Sequence, residues 1–350
     1  MRWDDCKLGD VMTLKRGHDL PKNRRVDGPV PVVSSSGITG CHKEAKAQPP
    51  GVVTGRYGTL GEVYYIDQAY WPLNTALYVV DFKGTHPRFA SYFLKNALRN
   101  YQSDKAAVPG VDRNVLHELK VRVPDFPTQE AIASILSTYD NLIENNRRRI
   151  ALLEEAARQL YREWFVRLRF PGHEHTRIID GVPEGWERKT LGEHLALNYG
   201  KALKADRRVD GPYPVYGSSG IVGTHEKPLA KGPGIIVGRK GTVGSVYWSS
   251  CDFYPIDTVY FIDAETSNLY LYYALKQMHF ISTDVAVPGL NRGVAYSRKL
   301  VVPSRNLHRE FLDAVSSFHE QMEKLDEMNT RLRTARNLLL PRLMNGEIAV

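Results

Sequence analysis

"RRVDGPVPVVSSSGITG" occupies residues 24–40 and "RRVDGPYPVYGSSGIVG" occupies residues 207–223. The offset is 207 − 24 = 183, and it also carries Gly17 onto Gly200 and Gly51 onto Gly234. The same shift places "GRYGTLGEVYY", starting at Gly55, on "GRKGTVGSVYW", starting at Gly238. Further on, "VPGVDR" from Val108 matches "VPGLNR" from Val287, and Pro124 matches Pro303 (287 − 108 = 303 − 124 = 179). The second copy is therefore four residues shorter over this stretch (183 − 179 = 4). Solenoid repeats have periods of roughly 20–50 residues, so each copy here is a domain-sized module. A chain of 350 residues is itself long enough for about two domains.

Within each copy the character changes twice. Short β-type runs punctuated by Gly and Pro come first: "VPVVSSSG", "GVVTG", "GEVYYID" and "TALYVVDF". A helical stretch follows, "HPRFASYFLKNAL" in one copy and "SNLYLYYALKQM" in the other, then a last strand, "LKVRVP" or "KLVVP". Beyond it no Gly or Pro interrupts residues 129–165. Apolar residues recur there at Ile132, Ile135/Leu136, Tyr139, Leu142/Ile143, Ile150, Leu153, Ala157 and Leu160. The second copy answers with Phe311, Val315, Phe318, Met322, Leu325, Leu332 and Leu339. Spacings of three, four and seven predict long helices with one apolar seam, the first roughly 55 Å long. Two such helices in one chain bury their seams most simply as an antiparallel coiled coil, with Asn146 in the seam fixing register. The expected fold is α+β: two β-rich modules in tandem repeat, separated by two long antiparallel helices forming a coiled coil. The expected divisions are 1–126, a first long helix 127–170, 171–305 and a second long helix 306–350.

Composition narrows the function classes. Hydrophobic residues make up 42% and charged residues 25%, ordinary for a globular protein with real cores. No apolar run is long enough to span a membrane, and the N-terminal "MRWDD" lacks a signal-peptide layout. The three cysteines are scattered, with no CxxC spacing, which points to a reducing cytoplasm without a structural disulfide or zinc site. The formal charge of +8 admits nucleic acid without demanding it. No Walker loop, GxSxG elbow, HExxH helix or GxGxxG turn is present, and neither FxGxG nor [ND]PP[YF] occurs. "HEH" at 173–175 reads as a solvated linker, and Glu154-Glu155 as solvation of a helix face. The chain reads as non-catalytic and metal-free.

The loops read as binding surfaces. "GRYGTLG" and "GRKGTVG" set Arg56 with Tyr57, and Arg239 with Lys240, among glycines that permit close approach of a ligand. Arg24, Arg25, Arg207 and Arg208 flank a Pro/Gly loop, and Ser35, Ser36, Ser218 and Ser219 offer short hydroxyls. His42 with Lys43, His225, Arg113, Asn291 and Arg292 complete the candidates. These are the side chains that contact phosphates and base edges, and two copies suit two separated half-sites on a linear duplex.

In this setting the chain resembles the specificity subunits of Type I restriction–modification systems. The resemblance rests on "WDDCKLGDVMTLKRG" and "PEGWERKTLGEHLALNYG" at the module starts and on the "GRxGTxG" hairpins. It rests most on "PTQEAIASILSTYDNLIENNRRRIALLEEAARQLYREWF" and "ARNLLLPRLMNGEI". "SRNLHRE" departs from the helix entry seen at "PDFPTQE". The resemblance implies two target-recognition domains on double-stranded DNA and two methyltransferase subunits, with motor and nuclease subunits where restriction accompanies methylation. S-adenosylmethionine and adenine-N6 chemistry would belong to the partner, with no cofactor in this chain. Related half-sites are then expected, with differences mapping to Tyr57/Lys240, Lys43/Glu226, Val33/Tyr216 and Asp112/Asn291. A duplicated scaffold protein without DNA specificity is the alternative.

Overall fold

The structure, a computed structural model, describes residues 2–57, 61–99, 110–278, 280 and 289–350. The tip of "GRYGTLG" at 58–60 and the Val-Pro pairs before Gly110 and Gly289 lie outside the described residues. The chain divides into two compact units, Met1–Arg147 with Asp326–Val350, and Arg148–Leu325.

In the first unit an antiparallel four-stranded sheet runs in the order Thr13–Arg16, Ala76–Asp81, Gly51–Gly55, Val63–Ile66. Gly51–Gly55 is buried along its whole length, as expected of an inner strand. A second sheet pairs Val30–Ser34 with Gly37–His42 and, in parallel, with Trp71–Pro72. Trp3–Lys7 pairs with Lys120–Pro124. The helix Pro87–Leu98 is capped by the His86 ring, which accepts from Phe89 N–H at 3.3 Å, and Pro87 sits where no helical N–H is needed. Its apolar face (Phe89, Ala90, Phe93, Leu94, Leu98) packs on Val52, Leu77 and Val79 of the sheet.

The second unit repeats this order. Asn198–Tyr199, Val259–Ile262, Gly234–Gly238 and Val246–Ser249 form the four-stranded sheet. Tyr213–Gly217 joins Gly220–His225 and Tyr254–Pro255, and Glu187–Thr190 pairs with Lys299–Val302. Asn268 caps the helix Leu269–Gln277 by accepting from Leu271 N–H at 3.0 Å.

The first long helix spans Phe126–Tyr161 and continues as a π-turn over Arg162–Val166; the second spans Arg305–Met344. Each contributes to both units. In the first unit, Ile132, Ala133 and Leu136 share a core with Leu340, Leu343 and Met344. In the second, Ala157, Tyr161 and Phe165 share one with Phe311 and Val315. Low numbers meet high ones in both, so the segments run antiparallel. The helices thus cover their own modules and also bury their seams on each other. Asn146 is a seam residue, its Nδ2 donating to Oδ1 of buried Asn329 at 3.1 Å. Of the seam alternatives, Leu136 and Ile143 are buried, while Ile135 and Leu142 face outward. The divergent entry "SRNLHRE" still starts a helix, with His308 standing where Gln129 does (308 − 179 = 129). Glu154 is not mere solvation: its carboxylate accepts from Lys276 Nζ at 2.6 Å. Among the described residues no helix is long and apolar enough to cross a membrane.

Candidate nucleic-acid interface

In the first unit the strand Gly51–Gly55 ends at Arg56, whose N–H donates to Thr75 O at 2.9 Å. Arg56 O accepts from Val111 N–H at 2.9 Å, and Tyr57 bridges Gly110. A Cβ on Gly110 would lie 2.8 Å from the Tyr57 ring, so a larger residue there would displace that ring. This stitch brings the end of the hairpin beside Arg113, which opens the short helix Arg113–His117 capped by Asp112. A recess of about 280 Å³ results, lined by Arg16, Arg56, Tyr57, Leu77, Asp112 and Arg113 among others. The Arg56 guanidinium lies over the Tyr57 ring at 4.6 Å. Among the described residues Arg16, Arg56 and Arg113 make no ion pair.

The second unit builds the same place. Arg239 N–H donates to Thr258 O, its carbonyl accepts from Leu290 N–H at 2.8 Å, and Lys240 bridges Gly289. Asn291 caps the helix Arg292–Tyr296. The guanidiniums of Arg239 and Arg292 both lie over the Tyr199 ring, at 5.0 and 5.1 Å, and Arg239 Nη1 donates to Asp257 O at 3.2 Å. Tyr199 stands at the position of Arg16 (199 − 183 = 16), and Tyr260 at that of Leu77 (260 − 183 = 77).

The structure therefore brings together Arg56, Tyr57 and Arg113, and likewise Arg239, Lys240, Asn291 and Arg292. Ser218 and Ser219 form the turn next to the second hairpin, and Ser218 O accepts from Ser245 Oγ at 2.6 Å. Ser35 and exposed Ser36 form the corresponding turn, where Ser36 Oγ meets Ser34 Oγ at 3.0 Å. Arg24 and Arg207 are exposed on short 3₁₀ turns, and Lys43 is exposed beside Glu44.

Four candidates have a different job. Arg25 Nη1 donates to Thr39 O at 2.8 Å, and Arg208 donates to Val222 O and, at 3.3 Å, to Leu203 O. Both guanidiniums cover glycines with φ of +141° (Gly40) and +145° (Gly223), so they clamp the loop to the strand. His42 is buried; its Nδ1 accepts from Val26 N–H at 3.0 Å and its ring meets Trp71 edge-on. His225 repeats that contact with Val209 N–H at 3.2 Å. Sequence alone shows a polar side chain on a loop, but the loop folds back and uses its hydrogen bonds. Val33 and Tyr216 are likewise buried, which removes that pair from the residues able to distinguish half-sites. Conversely Arg16 and Tyr199 were missed, although each directly precedes a glycine, Gly17 or Gly200, that the repeat aligns.

Two β-rich modules, each carrying the same arginine-bearing backbone stitch and both joined to paired helices, define a duplicated architecture. The family model described as the Type I restriction modification DNA specificity domain matches residues 1–155 and 183–327, and the chain belongs to that family. It is 23% identical to the Type I restriction enzyme MjaIX specificity subunit of Methanocaldococcus jannaschii, over 71% of this chain and 65% of the relative. It is also 23% identical to the HindI specificity subunit of Haemophilus influenzae, over 71% of this chain and 73% of that one. The crystal structure of a Type I S subunit from M. genitalium shares the fold, with a TM-score of 0.61 at 20% identity, covering 98% of this chain and 96% of that one. The chain thus spans about two thirds of the length of the M. jannaschii relative.

Proposed function

We propose that the chain reads a bipartite site on duplex DNA, one half-site per unit, and recruits methyltransferase subunits that methylate adenine N6. The observation that carries this reading is the recurrence on both modules of one backbone stitch that brings two arginines together, Arg56 with Arg113 and Arg239 with Arg292. Arginines without acidic partners on glycine-rich loops suit the phosphates and base edges of a duplex groove. In a bipartite site of this kind the bases between the two halves go unread. The methyltransferases supply S-adenosylmethionine chemistry and take the target base out of the stack. Motor and nuclease subunits join where restriction accompanies methylation, and the complex works in the cytoplasm.

Methylome sequencing of a strain expressing this chain with its methyltransferase tests the reading. A motif of two short specified stretches around an unspecified spacer, with methylated adenines, is the expected result. One continuous motif, or no salt-dependent binding of the complex to duplex DNA, overturns it.

A further inference from the structure

Exposed apolar side chains are ordinary on any protein surface, and the duplication offers a way to sort them. Among the described residues several have a charged counterpart in the other copy: Tyr57 answers to Lys240, Val80 to Asp263 and Tyr199 to Arg16. Two positions keep an exposed aliphatic side chain in both copies, Val26 with Val209 and Ile38 with Ile221 (209 − 26 = 221 − 38 = 183). Ile38 and Ile221 are the more open, at 61% and 62%. Side chains left that open add little to a core, so packing gives no reason for an isoleucine to stand there twice. Strand preference gives none either, since exposed Thr39 and Thr224 serve the same two strands.

The arginine clamps set the two residues of each pair beside one another. Arg25, which precedes Val26, donates to the carbonyl of Thr39, which follows Ile38. Arg208, which precedes Val209, donates likewise to Val222 O, which follows Ile221. The clamped strands, Gly37–His42 and Gly220–His225, are sheet edges, and the loss of a free carbonyl works against a partner strand adding there. At the turn before each isoleucine, Gly37 packs on the Tyr64 ring and Gly220 on the Tyr247 ring, both on the hairpin strands that follow Arg56 and Arg239. Exposed Arg24 and Ser36 flank the first pair, and exposed Arg207 and Ser219 the second. Two side chains are far smaller than the roughly 800 Å² per partner of a stable protein interface. They match instead the apolar group on the base edges of the major groove, the 5-methyl of thymine.

We propose that Val26 with Ile38, and Val209 with Ile221, are specificity-determining pairs, each seating the 5-methyl group of a thymine in its own half-site. The neighbouring arginines hold the duplex, and the aliphatic pair selects one base. The inference rests on the chain being a DNA reader at all.

The test uses the full chain with its methyltransferase partner, and sequence preference is first obtained by selection from a randomised duplex library. The selected duplex is then remade with uracil in place of one thymine at a time, which removes the methyl group and leaves every hydrogen-bonding atom in place. For the parent complex, one uracil in each half-site is expected to weaken binding about fourfold, the contribution of one buried methyl group. Ile38→Ala should abolish that response in one half-site and Ile221→Ala in the other, with the salt slope unchanged because no cation is lost. Ile38→Val and Ile221→Val keep a branched side chain and should keep the response. Both isoleucines are exposed, so these variants are expected to fold as the parent does. The proposal is overturned if the parent ignores uracil at every thymine of a half-site while still selecting its sequence. It is equally overturned if the alanine variants keep the parent's uracil response, or if what they lose is association with the methyltransferase. A parent complex that binds no duplex, or selects no sequence, instead sinks the reading on which the inference rests.

Discussion

The two units tie a module tyrosine to a long helix at matching places, with opposite chemistry. Tyr92 and Tyr273 each lie three residues before a lysine, Lys95 and Lys276, on their module helices. Tyr92 Oη donates to Asp140, and Asp140 is also paired with Arg336 and, at 3.7 Å, with Arg88. The position of Asp140 in the second copy is His319 (140 + 179 = 319). There Tyr273 Oη meets His319 Nε2 at 2.8 Å, with Trp248 and Tyr272 packed around the imidazole. One joint is ionic and a quarter exposed; the other is neutral and aromatic. Burial pushes the His319 pKa down to about 4, with the positive charge of Lys276 adding to this and Glu154 opposing it. The same fold thus accommodates an ion cluster at one joint and an aromatic pocket at the other.

Mixing the two chemistries is the harshest way to break the comparison. His319→Asp places a carboxylate among Trp248, Tyr272 and Tyr273, and Lys276, the nearby cation, is already held by Glu154 at 2.6 Å. A loss of about 3 kcal/mol is expected in urea unfolding of the second unit. Adding Glu154→Gln frees Lys276 to pair with the new carboxylate and should recover part of the loss; no recovery would mean the pocket rejects charge for steric reasons.

In the first unit, Arg336→Ala leaves Asp140 with Arg88 and Tyr92. Because the pair is about a quarter exposed, the expected cost is about 2 kcal/mol, below that of a fully buried pair. The loss should fall further at high salt if solvent reaches the site, which a urea series at two ionic strengths would read.

The histidine joint should also respond to pH. In the unfolded chain His319 titrates near the ordinary value of about 6.5. Between that value and about 4 the unfolded state therefore binds a proton that the folded state refuses. Stability is full above about 6.5, falls as pH drops toward about 4, and levels off below, for a total of about 2 kcal/mol after allowing for partial solvent access. Half-buried His308 and His117 also have lowered pKa values, so the measurement is the difference between the parent and His319→Gln. Parallel pH curves for the two proteins would remove His319 from the account.

What could be read from sequence follows from what is local. The 183-residue offset and the apolar spacing from Ile132 to Ala157 are patterns written in the sequence itself, and they lead to the modules and the paired helices. Asn146 stood out because a polar residue in an apolar seam is visible in a heptad count, although its partner Asn329 was not. The site was half legible. Arg56, Arg113, Arg239 and Arg292 lie on glycine-flanked turns and do converge, but Arg25, Arg208, His42 and His225 differ only in having a backbone group folded onto them. That depends on contacts 14 or 16 residues away in hairpins whose register the sequence does not state. Asp140 and His319 were passed over for a related reason: both are polar residues beside the seam, and only the tyrosines of a distant helix give them a role.

The mildest test compares the two tyrosines themselves. Tyr92→Phe removes a hydroxyl that donates to a carboxylate, a charge-assisted bond worth about 1.5–3 kcal/mol. Tyr273→Phe removes a bond to a neutral imidazole, for which about 0.5–1.5 kcal/mol is expected. The ring is kept in both, so packing is nearly unchanged, and the hydroxyl of each is lost from a largely buried site. The ordering carries more weight than either value, because chain-specific effects on the unfolded state are alike for the two substitutions. At pH 7 Tyr92→Phe should cost more. Lowering the pH until His319 is protonated makes its Nε2–H a charged donor to the Tyr273 hydroxyl, so the cost of Tyr273→Phe should rise toward that of Tyr92→Phe near pH 4 or below. Equal costs at neutral pH, with no convergence in acid, would show that the two joints are energetically alike despite their different side chains.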